Sequence, residues 1–406
     1  MPKTSNSPVI GTVEQVILLA LLSSLIALSI DSMLPALALI ERDLGVFDTN
    51  GRQFIIGITF VGMAVGMLFY GPISDSVGRK GPIYVGIGIF LVGCLLSIYA
   101  ADFRVMLIGR FMQGLGAAGP RVVSIALIRD QYSGREMARF TSLVMTVFIL
   151  VPVLAPALGQ GVMMVANWRA IFGVMFSLGA ITLIWFTFRQ RETLVKENRM
   201  PFSTRRLTSA ITEVFRTPVS FGYTILSGFV FAAFLSFLTM SQQIFQEQYG
   251  VGESFPVYFG SLALAFGGAS LANSALVMQL GMKNLIAKAL WTFVALSICF
   301  LTFSAFNAGH PPIWSLMVFL ICIFFCVGIL FGNINAQAME PLGHIAGVAS
   351  AVITSVSTFM SVVLGMIVAQ SYDGTIFPLL VGFCCFGLLS LIVMYFTNSK
   401  TIELDS

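Results

Sequence analysis

Twelve apolar stretches of about twenty residues or more follow one another along this chain, and nothing else in it limits the possible folds so severely. They run over residues 14–40, 51–74, 81–100, 103–128, 137–165, 168–188, 219–246, 255–279, 284–306, 312–337, 346–371 and 375–396. A bilayer core about 30 Å thick is crossed by about 20 helical residues, and in lipid a helix satisfies its own backbone hydrogen bonds. With 57% hydrophobic and 10% charged residues, the 406-residue chain carries too little polar surface for a soluble domain. It is read as an all-α membrane protein of twelve transmembrane helices.

The one hydrophilic interval, 189–218, carries seven basic and three acidic residues and the breakers Pro201 and Pro218. Six spans lie on either side of it, over 175 residues (14–188) and 178 residues (219–396), the spacing left by a duplicated six-helix unit. The expected organisation is an N-terminal segment (1–13), a first six-helix bundle (14–188), a linker (189–218), a second bundle (219–396) and a C-terminal segment (397–406). Lys and Arg favour cytoplasmic loops. With both termini and the linker in the cytoplasm, the inner segments hold sixteen basic residues, Lys3 and Lys400 among them, and the outer loops hold four, Arg42, Arg52, Arg104 and Arg169. The first thirteen residues have one Lys and no small-residue cleavage site, so the first span is expected to stay in the protein.

Several function classes drop out. The six cysteines fall in apolar spans with no His nearby in sequence, which predicts reduced packing residues and no metal site. The net charge of +4 follows from the cytoplasmic bias and requires no nucleic-acid partner. There is no Gly-x-x-x-x-Gly-Lys-Ser/Thr loop for a nucleotide-driven motor and no Ser-His-Asp set or carboxylate pair for an enzyme. No cofactor is expected.

Asp31 is the one acid well inside a span, about nine residues short of the end of the first. An ionised carboxylate there costs a few kcal/mol, so such acids face a cavity or a partner and exchange protons. At 1.5 Å per residue, Asp31 lies roughly 13 Å, and Arg110 of the fourth span roughly 10 Å, from the outer ends of their helices. Two buried charges at one level are expected to pair. Arg121 follows Arg110 by three turns and about 20° of rotation, so both should face one cavity, with Arg121 roughly 16 Å nearer the cytoplasm. Two cations against one carboxylate make that cavity net positive, which favours an anionic or zwitterionic occupant. Polar residues on apolar spans supply further cavity candidates, Gln113, Thr146, Asn335 and Thr358 foremost, with Met33 heading an adaptable methionine wall.

The loop after the second span, Gly71-Pro72-Ile73-Ser74-Asp75-Ser76-Val77-Gly78-Arg79-Lys80, resembles the signature loop of the major facilitator superfamily. Gly71 lets helices approach, Asp75 ends the helix as an anion, and Gly78 makes a turn that presents Arg79 and Lys80 to the cytoplasmic surface. The resemblance implies that Asp75 faces the start of the eleventh span and a nearby Arg, latching the cytoplasmic side; Ser76 replaces the family's basic residue and weakens one contact. Arg110-Phe111-Met112-Gln113-Gly114-Leu115-Gly116 is similar to the motif of proton-coupled members. In the fifth span Pro152, Pro156 and Gly159 resemble the antiporter motif, with Ala155 where the pattern has Gly. Proline there lets the helix bend, while Gly159 and Gly161 allow packing against the other half. With Asp31-x-Met33-x-Pro35-Ala36, Arg129-Asp130 and Asn167-Trp168-Arg169, these motifs resemble the Bcr/CflA branch of the drug:proton antiporters. That branch has a basic residue nearer position 125, where this chain has Ile125, so Arg121 is a departure.

The resemblance implies a monomeric inner-membrane carrier with both termini cytoplasmic, exporting small amphipathic molecules by alternating access in exchange for protons, with Asp31 and Arg110 as the coupling residues. Open alternatives are a dedicated exporter of an anionic metabolite such as a siderophore, a proton-coupled uptake symporter, and a membrane sensor that moves nothing.

Overall fold

The computed structural model describes residues 11–46, 48 and 50–405, for 138 and 399–405 the backbone alone. Lys3 and the side chain of Lys400, both counted above for orientation, lie outside the described residues, as does most of segment 1–13. Among the described residues eleven helical runs are long and apolar enough to cross a membrane, taking Ile313–Gln370 as one. A 3-10 turn, Glu340–Ile345, interrupts that run behind Pro341, and Leu342 within it leaves helical geometry at φ −109° and ψ 26°.

The helices are α1 (Thr12–Asp31), α2 (Leu37–Asp43), α3 (Gln53–Val77), α4 (Lys80–Ile98), α5 (Phe103–Gln131), α6 (Gly134–Val165) and α7 (Arg169–Arg189). There follow α8 (Thr204–Arg216), α9 (Pro218–Gln242), α10 (Phe255–Leu280), α11 (Met282–Phe306), α12 (Ile313–Met339), α13 (Ala346–Gln370) and α14 (Phe377–Asp405).

Two spans break where hydropathy predicts continuity. The first ends at Asp31, passes through a 3-10 turn, Leu34–Ala36, and resumes as α2. Pro35 has no N–H to offer the carbonyl four residues back, which is that of Asp31, and its ring crowds that carbonyl. The span from Pro218 changes at Gln243 into a π-helical turn, Gln243–Gln248.

The interval 189–218 is not a plain linker, for it contains α8. Ser203 caps this helix by accepting the N–H of Arg206 at 3.3 Å, and Leu207, Ala210 and Val214, at helical spacing, are buried as α8 packs on α9 and α13.

Helices α1 and α3–α7 pack among themselves, as do α9–α14. The two groups meet chiefly where α3 lies on α13 and α6 on α10. Along α3, Gly57 adjoins Met366, Ser355 Oγ donates to the Ala64 carbonyl at 2.7 Å, and a Cβ on Gly71 would stand 3.9 Å from that of Ala351. Midway, Phe60 of α3 meets Phe231 of α9 with ring centroids 5.8 Å apart, and Phe231 meets Phe331 of α12 at 5.7 Å. Phe234 extends this cluster to Phe324 at 5.7 Å and Phe266 at 6.3 Å.

Candidate functional site

Asp31 closes α1, is 6% exposed, and among the described residues its carboxyl forms no hydrogen bond or ion pair. Arg110 is fully buried on α5. Its Nη1 donates to Ser29 Oγ at 2.8 Å, to the Ser29 carbonyl at 3.1 Å and to Gln113 Oε1 at 2.5 Å; its Nε reaches the Ile55 carbonyl at 3.4 Å. The guanidinium stands 5.8 Å from the Phe172 ring, and among the described residues Nη2 has no acceptor. The expected Asp31–Arg110 pair is therefore not formed. Ser29 and Asp31 are two residues apart, about 200° around the helix, so the face that gives Ser29 to Arg110 turns Asp31 away. Neutral oxygens and an aromatic face solvate the cation instead.

Of the other cavity candidates, Gln113 is corrected. Its amide donates to the Gly93 carbonyl at 3.1 Å and Ser97 Oγ at 3.0 Å, while its oxygen accepts from Ser29 Oγ at 2.7 Å as well as from Arg110. With every polar atom occupied, it joins α1, α4 and α5 and offers nothing to a cargo. Met33 and Thr358 are buried in this conformation, so neither lines an open wall. Thr146 is exposed on α6, its hydroxyl turned to the Ser142 carbonyl at 2.9 Å; Asn335 is half-buried, its amide on the Phe331 carbonyl at 2.9 Å. Arg121, half-buried, forms no ion pair among the described residues and places its guanidinium 5.0 Å from the Phe148 ring.

Pro152 and Pro156 both lie inside α6. Gly159 packs against the backbone carbonyl of Ser32, the residue after Asp31, so closely that a Cβ has no room. This contact is with the end of α1, not with the other group of helices as the sequence suggested, and a Cβ on Gly161 would meet nothing within 4 Å.

The loop between α3 and α4 is also built differently from expectation. Arg79 is 3% exposed, not presented to the surface. Its guanidinium bonds to Asp130 Oδ2 at 2.8 Å, Asp75 Oδ1 at 2.5 Å and Ser74 Oγ at 2.9 Å. Asp75 thus holds its own loop instead of the start of α13. Gly78, at φ +106°, reverses the chain and brings Arg79 back to α3. Glu192, just after α7, accepts the backbone N–H groups of Arg79 at 2.9 Å and Lys80 at 3.1 Å. Lys80 turns towards α7, its Nζ 3.4 Å from the Thr187 carbonyl. Gly71 makes ordinary contacts with Val122 and Ala351.

At the opposite end lies a cluster that sequence reasoning missed. Arg52, 5% exposed, bonds both carboxylate oxygens of Glu247, reaches Gln242 Oε1 at 2.9 Å and sets its Nε 3.2 Å from Glu41 Oε2. Beside it Asn50 Nδ2 donates to the Gln370 and Tyr372 carbonyls at 3.0 and 2.9 Å, Gln370 Nε2 donates to Gln53 Oε1 at 3.0 Å, and Gln53 Nε2 to Gln243 Oε1 at 2.6 Å. Among the described residues the side-chain hydrogen bonds joining the two helix groups lie at this Arg52 end, except that of Ser355 midway. The one sequence signal was the group of amides Gln242, Gln243, Gln246 and Gln248 at the end of the seventh apolar stretch.

Residues 19–366 match the family model described as Major Facilitator Superfamily. The chain is 28% identical over 397 residues to the bicyclomycin resistance protein homolog of Haemophilus influenzae, covering 96% of this chain and 97% of that one. It is 31% identical over 325 residues to the multidrug resistance protein MdtL of Salmonella paratyphi A, 79% of each chain. Among solved structures, a D-xylose-proton symporter superposes with a TM-score of 0.73 at 14% identity, covering 95% of this chain and 98% of that one, which speaks for the fold alone. The chain belongs to the major facilitator superfamily, in its drug:proton antiporter group.

Proposed function

We propose that this protein exports small amphipathic molecules across the cytoplasmic membrane of a bacterium in exchange for protons, working as a monomer by alternating access. The observation that carries this reading is Asp31: a buried carboxyl without a partner, at a helix break, two residues from the serine that holds an equally carboxylate-free Arg110. Broken helices at the level of the site are how carriers expose polar groups to a cargo within the membrane. The names of the relatives, bicyclomycin resistance and multidrug resistance, support drugs as cargo.

In this reading the two helix groups are two six-helix bundles, 14–188 and 219–396, joined by the α8 segment, and the Arg79 end with both termini is cytoplasmic. Asp31 carries the proton. Proton and cargo compete for one site, each removing contacts the other uses, so exchange follows from mutual exclusion. Arg110 fixes the local field without sealing Asp31 into an ion pair, and Arg121 on Phe148 adds a positive charge on the cytoplasmic side of the cavity. The bonded Arg52 end and the absence, among the described residues, of direct side-chain bonds between the groups at the Arg79 end support a state facing the cytoplasm.

The test uses purified protein in liposomes with an internal pH indicator. Drug-dependent proton movement is expected from the native protein and is lost in Asp31→Asn, while drug binding persists. Equal proton signals from both proteins would remove Asp31 from the coupling step.

A further inference from the structure

We infer that Arg52 is the positioning residue of an outer gate, setting how long the carrier stays closed to the outside without touching cargo. This rests on the proposed alternating access. Three features single Arg52 out. It is nearly fully buried at the extracellular end of α3, yet its partners come from elements far apart in sequence, Glu41 on α2, Gln242 at the end of α9 and Glu247 on the π-helical turn. Its contact with Glu247 uses two nitrogens on two oxygens, an arrangement that is strong and geometrically exacting, and one a lysine reproduces only in charge. Finally, it closes one side of a cleft of about 400 Å³ whose other lining residues, Gln243, Glu247, Gln248, Tyr372, Asp373 and Gly374, all belong to the second helix group, so the cleft lies along the seam that Arg52 bridges.

The chemistry of the seal suits a gate. A hydrophobic plug would be slow to wet, whereas amides and charges at a membrane surface exchange their partners for water at little net cost once they separate. Asn50, Gln53, Gln243 and Gln370 are such amides, and Arg52 supplies the contact that makes the closed arrangement the favoured one. The π-helical turn adds to this: wide turns of that kind interrupt the regular helix and cluster at functional sites, and here one delivers Gln243 and Glu247 to the same seam. Removing Arg52 leaves Glu41 and Glu247 facing each other without their cation, which pushes the seam apart.

The experiment reads closure directly. In the full-length protein in liposomes, Gly57→Cys with Met366→Cys places a thiol pair across the seam one turn inside its amides, where a side chain on residue 57 would meet residue 366, and oxidation joins residues on either side of the α8 segment; cutting that segment with protease then scores the joined halves. Fast cross-linking is expected with Arg52 present, a rate about tenfold lower in Arg52→Gln, and partial recovery in Arg52→Lys. An unchanged rate in folded Arg52→Gln protein overturns the gate. Should Arg52→Gln not fold, Glu247→Gln carries the same test, with slower cross-linking expected and an unchanged rate overturning it. The measurement needs neither cargo nor a proton gradient, so a failed proton-coupling assay leaves this result standing, and a failed gate leaves that assay standing.

Discussion

At position 159 it is a missing side chain that locates Asp31. α6 rests on the Ser32 carbonyl there, and the break that Pro35 imposes on α1 exposes that carbonyl to contact. Any Cβ must push α6 off α1 at the residue next to Asp31. Overpacking of this kind costs about 1–3 kcal/mol and displaces backbone. Gly159→Ala should therefore cut drug-driven proton exchange at least about tenfold while the protein still inserts and folds, and Gly161→Ala, whose Cβ meets nothing, should leave exchange unchanged. Initial rates in the two variants, compared with their thermal midpoints, decide it: equal losses would assign both glycines to helix flexibility alone.

Among the elements, the segment between α7 and α9 does more than its composition suggests. Its first residues clip to the α3–α4 loop, with Glu192 on the Arg79 and Lys80 N–H groups and Thr193 Oγ1 on Asp130 at 2.9 Å; its helix α8 packs under α13, where Glu213 meets His344 at 2.7 Å. Burial pushes the Glu192 carboxyl up, but the N–H groups of Arg79, Lys80, Leu194 and Thr193 outweigh it and hold the carboxyl below its ordinary value. A depressed carboxylate stabilises the fold above its unfolded value and loses that contribution as pH falls through the folded one. Protection of the Arg79 and Lys80 amides against hydrogen exchange should thus persist from neutral pH to below about 4.3, the ordinary Glu value, and then fade. Glu192→Gln should weaken it severalfold at neutral pH; unchanged exchange would make the clip ornamental. Little of this was legible. The span limits were, because lipid enforces them residue by residue, but the break at Asp31 fell inside a stretch read as one continuous span, 14–40, since hydropathy does not register what Pro35 does to the backbone. α8 was hidden because its seven-basic-residue interval reads as solvated charge, although Leu207, Ala210 and Val214 keep helical spacing. The partners of Arg52 were invisible since 195 positions separate it from Glu247, and nothing local marks such a pair. Arg110 was legible as a buried charge but not its acceptors, which are two backbone carbonyls, the Ser29 hydroxyl and the Gln113 amide oxygen, neutral groups that carry no sequence signal of a cation partner.

On the scale of the whole molecule, the distribution of contacts gives the carrier a sidedness that labelling can measure. A thiol at the exposed face of α6 should be reached from the Arg79 side while the Arg52 side is closed. Thr146→Cys is expected to react with a membrane-impermeant maleimide at least about tenfold faster in inside-out vesicles than in right-side-out ones; the opposite ratio would mean that the resting state faces outward. The α3–α13 contact has a mechanical consequence. Ala64, whose carbonyl takes the Ser355 hydroxyl, stands at the midpoint of α3. A helix of this length spans about 37 Å, so each arm from that point is about 19 Å, and tilting by about 20° swings an end by roughly 6–7 Å. With a fulcrum at the centre, the two ends move in opposite senses: the stroke that breaks the Arg52 seam pinches the Arg79 end, and a continuous leak would require the lever to bend instead of rock.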